Sequence, residues 1–227
     1  MDGQRDAIRS GLRWTAGGLL LLVFAGCQGT VPADRSRAKV VAGIRQLDRN
    51  EIDAAIASFT AAIQTDGGTA DAHHADPFYY RGRAYVSKGR MDKAIDDFTR
   101  ALSIDHRYAR AYCGRGIAFM RKGLVDIALE DFSKAIALNP QYVEPRWRRG
   151  QAYLDTGSND RAVRDALRAI QLSPQQPIAF GILGSAFLAR RAYRKATVYL
   201  DEAIRIDPAL AKSLDAQRRD AYWDLAE

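Results

Sequence analysis

Cysteine and histidine are scarce in this chain, two and three among 227 residues. That leaves little material for a metal cluster, for thiol chemistry or for a disulfide framework. No G-x-S-x-G, P-loop or strand-borne G-x-G-x-x-G occurs, and strand-like alternation of apolar and polar residues is absent. These absences argue against hydrolases and nucleotide- or dinucleotide-binding enzymes built on sheets. An uncharged apolar run near the N-terminus, residues 14–27, is shorter than the roughly 20 residues a membrane-spanning helix needs. What is present is a globular balance: 47% hydrophobic and 27% charged residues exclude wholesale disorder. The length allows one extended or two small domains.

Arg5, Arg9 and Arg13 precede or open that run, which closes on Phe24-Ala25-Gly26-Cys27. A basic start, a short apolar stretch and small closing residues are the pattern of a secretory signal. The closing residues resemble the bacterial lipobox, with Phe24 where leucine is usual. The resemblance implies removal of residues 1–26 and a diacylglycerol on Cys27, anchoring the chain to a bacterial cell membrane. An uncleaved signal anchor and a non-lipidated secretory signal are the other readings of the same segment. With Cys27 acylated, Cys113 is the one remaining thiol. In enterobacterial lipoproteins Asp after the cysteine marks inner-membrane retention. By that resemblance Gln28 favours the periplasmic side of the outer membrane in a Gram-negative host. Residues 27–35 read as the lipidated cysteine and a short polar tether.

The remainder repeats. Gly82, Gly116, Gly150 and Gly184 are 34 residues apart, and Gly43 precedes the first of them by 39. Ala55, Ala94, Ala128, Ala162 and Ala196 stand twelve residues after these glycines, and Ala62, Ala101, Ala135, Ala169 and Ala203 seven further on. Tyr85, Phe119, Tyr153 and Phe187 follow the glycines by three; Phe59, Phe98, Phe132, Ala166 and Leu200 follow the first alanines by four. Pro140, Pro174 and Pro208 sit near the unit ends, with His106 in the earlier slot. This register resembles the tetratricopeptide repeat (TPR) pattern over residues 36–210. The resemblance implies an all-α solenoid of about five helix-turn-helix units (36–69, 75–108, 109–142, 143–176, 177–210), closed by a capping helix over 211–227. The TPR domain as a whole spans 36–227.

The spacing has a packing logic. Small residues let helix axes approach, aromatics fill the gaps between units, and glycines 89, 123 and 157 mark the turns. No unit buries its apolar face alone, so stability comes from stacking. The seam predicts that Gly150→Leu overpacks it, at about 1–3 kcal/mol.

Each first helix carries a second stripe at helical spacing. It reads Val40, Ile44, Leu47; Tyr79, Arg83, Val86; Cys113, Ile117, Met120; Trp147, Gln151, Leu154; Gly181, Ser185, Leu188. In the TPR family this stripe lines the concave surface and meets ligands. The expected partner-binding residues are Tyr79, Arg83, Val86, Ile117, Met120, Trp147, Arg148, Gln151 and Leu154. Self-burial in a tightly wound array is the competing reading. The lysine, asparagine and arginine clamp of the chaperone-binding subclass is not matched.

The chain carries a net charge of +7, spread as +2 on each of units two to five, neutral on the first and −1 on the tail. With no nucleic-acid-binding motif, an acidic protein, wall polymer or lipid surface is the expected counterpart. No catalytic residue, metal ligand or cofactor is expected. His73 and His74 read as a solvated loop pair, Asp96-Asp97 and Glu130-Asp131 as solvated helix faces, and Cys113 as a packed or groove-lining thiol. The resemblance to TPR lipoproteins implies a non-enzymatic envelope scaffold. Self-association, or a pilotin role in pilus or secretion assembly, stands as the alternative.

Overall fold

The structure, a computed structural model, describes residues 32–65 and 75–226. Among them are eleven α-helices, one short 3-10 turn and no strand. In chain order they are α1 (Pro32–Asp48), α2 (Ile52–Thr65), α3 (Ala75–Ser87), α4 (Met91–Ile104), α5 (Ala109–Arg121) and α6 (Val125–Leu138). There follow α7 (Glu144–Asp155), α8 (Asn159–Leu172), α9 (Pro177–Ala189), α10 (Tyr193–Ile206), a 3-10 turn (Pro208–Leu210) and α11 (Ala211–Ala226). All lie in one compact unit, Pro32–Glu227, whose core comes from its own helices. The signal segment, Cys27, Gln28, His73 and His74 fall outside the described residues.

Consecutive helices pair as hairpins, and each second helix packs on the first helix of the next hairpin. Each first helix also touches the next one, from α1 against α3 through to α9 against α11, so the odd-numbered helices form the crowded inner layer. Residues 32–35, expected in the tether, instead form the first turn of α1. Proline suits that place, because its φ is already helical and its missing N–H would have no partner there.

The hairpin turns repeat one geometry. Gly89, Gly123 and Gly157 take φ of +71°, +76° and +72°. Each donates its N–H back to the preceding helix, Gly89 to Val86 O at 3.1 Å, and the next residue does likewise, Arg90 to Tyr85 O at 2.9 Å. A left-handed residue ending a helix in this way satisfies its last carbonyls. In the first and fifth hairpins Asn50 (φ 61°) and Arg191 (φ 55°) hold the same position.

The glycine seam is a seat for a ring. A Cβ at Gly82 would come within 2.9 Å of the Phe98 ring, and one at Gly116 within 2.8 Å of Phe132. Phe98 is cupped from both sides, because a Cβ at Gly114 in the next hairpin would also reach it at 2.7 Å. Gly150 differs: its nearest neighbours lie at 3.6 Å, ordinary contact distance. Ala166 stands where the other units place a phenylalanine or leucine, so the seam is loosest at the very position chosen above for overpacking. A single added methyl group therefore clashes at Gly82 and Gly116 and not at Gly150.

Arg81, Arg115 and Arg149, each just before its glycine, build the strongest polar contacts. Each grips one aspartate of its own second helix with two N–H groups: Arg81 with Asp97 (2.8 and 2.7 Å), Arg115 with Asp131 (2.9 and 2.9 Å), Arg149 with Asp165 (2.7 and 2.8 Å). The third nitrogen reaches back to a hydroxyl on the preceding second helix, namely Thr60, Thr99 and Ser133. Three helices are thereby tied by one side chain. These carboxylates are 5–6% exposed, which corrects the solvated-face reading of Asp97 and Asp131. Their neighbours Asp96 and Glu130 are exposed as expected. Donating hydrogen bonds to the aspartates raises the three guanidinium groups above their ordinary values.

Candidate partner-binding groove

The inner layer sets the expected stripe side by side. Val86, Ile117, Met120, Trp147 and Leu154 each rest one side on the core and leave the rest at the surface. They come from α3, α5 and α7, so three helices contribute to one half-exposed apolar band. Arg83 and Gln151 are exposed on the same stripe. Arg83 lies over the Tyr79 and Tyr80 rings at 5.9 and 5.8 Å.

Tyr79 is a different case. It is 7% exposed and packs against Tyr108 (5.0 Å between centroids), Tyr80 (5.0 Å) and Phe98 (6.0 Å). Burial pushes its hydroxyl up to about 12. The inner layer closes over this ring, so Tyr79 is a core residue of the second unit and not an accessible anchor. Cys113 is likewise buried among Ala128, Phe132 and Ala135. Burial, then the nearby Glu144 charge, pushes its thiol up to about 12, so it is protonated at neutral pH.

Trp147 is the largest ring on the band. The Arg148 guanidinium lies 4.1 Å from its centroid, and Glu144 holds Arg148 at 3.1 Å while accepting the Tyr142 hydroxyl at 3.1 Å. This holds the arginine over the indole with one flank spent on Glu144. Beside it a recess of about 530 Å³ is lined by Arg110, Tyr142, Glu144, Trp147 and Gln176 among others. A second, about 350 Å³, opens between Gln151, Leu154, Ser185, Leu214 and Gln217, so α11 joins the inner layer. Ser185 donates to Gln217 there at 2.6 Å.

Sequence reading missed Tyr108, Tyr142, Glu144 and Arg110. The two tyrosines end successive units 34 residues apart, the same register signal that revealed the glycines. Among the described residues no group of three or more His, Cys, Asp or Glu could hold a metal ion. No described helix is long and apolar enough to cross a membrane.

A stack of helical hairpins with a half-exposed apolar inner band defines the class of solenoid binding scaffolds. The chain is a tetratricopeptide repeat protein: a TPR repeat model matches residues 82–123, and a tetratricopeptide repeat model matches 113–177 and 148–211. No curated protein matches it in sequence. Solved structures share its fold. MamA is 22% identical with a TM-score of 0.63, over 75% of this chain and 96% of its own. TTC0263, a thermophilic TPR protein of Thermus thermophilus, is 20% identical at 0.62, over 85% and 100%. YrrB, described as a TPR protein with an unusual peptide-binding site, is 24% identical at 0.61, over 79% and 90%. This fold is typical of protein–protein interaction scaffolds rather than enzymes.

Proposed function

We propose that this protein is a lipid-anchored adaptor of the bacterial envelope that holds a segment of a partner protein along its inner helices. One observation carries the binding role: the band of Val86, Ile117, Met120, Trp147 and Leu154, contributed by three units and left half exposed. Contiguous exposed apolar surface marks partner sites, and tryptophan and arginine are frequent anchors. Arg83 and Arg148 at its margin favour a segment bearing acidic groups. The YrrB peptide site on the same fold supports the binding mode. The anchored, periplasmic half of the reading is supported by Arg5, Arg9 and Arg13, the apolar run and the Ala25-Gly26-Cys27 ending. Gln28 supports the outer membrane. Assembly of cell-wall or secretion machinery is the process that fits such a scaffold.

Two experiments test the two halves. In cells, a photo-crosslinker at Met120 should capture a partner that is lost with Trp147→Ala, while one at Val198 on the outer side of α10 should not. Equal capture at both places refutes the groove. A second copy as the captured species makes the groove a self-association surface instead. Separately, Cys27→Ser should abolish acyl labelling and release the protein from membranes; retention refutes the anchor.

A further inference from the structure

The outer face of α1 breaks the repeat in one respect. Two residues past each first-helix glycine, units two to five place Ala84, Ala118, Ala152 and Ala186, all 0% exposed. In α1 that position is Arg45, and it is exposed. Five residues before the glycine the later units bury Pro77, Ala111, Pro145 and Ala179, whereas Ala38 is exposed. Later units bury this face against a preceding hairpin. The described residues provide none for α1. The same face exposes Arg37, Val41, Ala42 and Arg49; Asp48 at the C-terminal edge is the one exposed acid among its described side chains, and the sequence puts Asp34 on this face in the first turn. Arg37, Arg45 and Arg49 make no ion pair with a described residue.

We infer that this face of α1 is a docking surface for an anionic lipid membrane. The inference deepens the anchored reading above and rests on it for its geometry. With α1 starting at Pro32, only residues 28–31 separate it from Cys27. Fully extended, that span from Cys27 to Pro32 covers no more than about 18 Å. A lipid on Cys27 therefore keeps the first turn of α1 within one to two screening lengths of the headgroups, and laying the helix along the surface brings its arginines to where they feel that charge. Charge complementarity selects an anionic surface. The apolar Val41, set among Arg37, Arg45 and Arg49, suits a headgroup boundary, as on helices that lie in an interface. Another hairpin or a second copy stacked in the repeat mode would have to bury the Arg45 charge where alanine belongs, which is costly. The solenoid thus rises from the membrane first unit down, with the inner band of units two to four held clear of it.

The test uses residues 28–227, which contain the whole compact unit and lack an acyl chain, so its outcome is independent of lipidation. This fragment should co-sediment with phosphatidylglycerol vesicles and not with phosphatidylcholine vesicles, and 0.5 M salt should release it. Arg37→Glu/Arg45→Glu/Arg49→Glu should lower partitioning roughly a hundredfold. The charge-matched control on the second helices, Arg100→Glu/Lys134→Glu/Arg164→Glu, should lower it far less. Equal loss in both variants would mean diffuse attraction to a basic protein and would overturn the inference, as would equal binding to both vesicle types. A concentration-dependent dimer broken only by the α1 variant would replace the membrane with a second copy. Unchanged helical circular dichroism and melting show that each variant has folded. Loss of Cys27 acylation in cells with intact vesicle binding would sink the anchor alone.

Discussion

At residue scale the repeat is a set of matched volumes. Phe98 fits because Gly82 and Gly114 both lack a Cβ, and a core at this density resists added atoms. Gly82→Ala or Gly116→Ala should each lower unfolding free energy by about 1–3 kcal/mol in urea titrations. Gly150→Ala should be neutral or stabilising by up to about 1 kcal/mol, since it gains helix propensity without a clash. Equal losses at all three would show that helix approach, and not the ring, sets the constraint. The turns offer a second case. Arg191 holds a left-handed backbone that costs a side-chain-bearing residue about 1 kcal/mol. Arg191→Gly should accordingly raise the melting temperature by a few degrees, and a lower value would refute strain at that turn.

The element scale is governed by the arginine ties. Each joins a first helix, its own second helix and the preceding second helix, so it contributes to the hairpin and to the stacking together. Where the tie ends, both halves change. Unit five places Leu183, 0% exposed, in the arginine slot, and Leu167, 42% exposed, occupies the slot where Thr60, Thr99 and Ser133 accept. In the last interface the direction is preserved with other chemistry: Asp201 fills that hydroxyl slot and pairs with Arg218 of α11 at 2.6 Å. Arg218 thus ties the capping helix to α10. Removing one partner of a buried pair strands the other charge. Asp131→Ala should destabilise by about 3 kcal/mol, and Asp131→Leu with Arg115→Leu by markedly less. A double variant as damaged as the single would mean that the pair itself, not the stranded arginine, carries the energy.

For the whole molecule, stability is distributed along a row of interfaces, and buried neutral groups make it sensitive to alkali. The fold raises Cys113 from 9.0 and Tyr79 from 10.0, both to about 12. A raised folded value means stability intact below the ordinary value and lost as pH climbs through the folded one. The melting temperature of residues 28–227 should fall progressively from about pH 9 toward 12. Cys113→Ala should flatten the early part of that fall, and an unchanged slope would refute the thiol's share.

The residues alone determined the solenoid, its register, its turns and the position of the inner stripe. Packing of repeated helices demands small residues and rings at fixed spacing, and such demands are written locally. Tertiary structure alone decided which polar and aromatic residues are hidden. Asp97 and Asp131 sit among charged neighbours in sequence, yet an arginine sixteen residues earlier draws each inside. Tyr79 shares the stripe of Trp147, yet Tyr108 closes over the one while the other stays at the surface. Arg45 reads as one more helical charge until four buried alanines in the same register show that its face has no neighbour among the described residues. Burial depends on what stands opposite, and a chain read along its length does not say which side of a helix is covered.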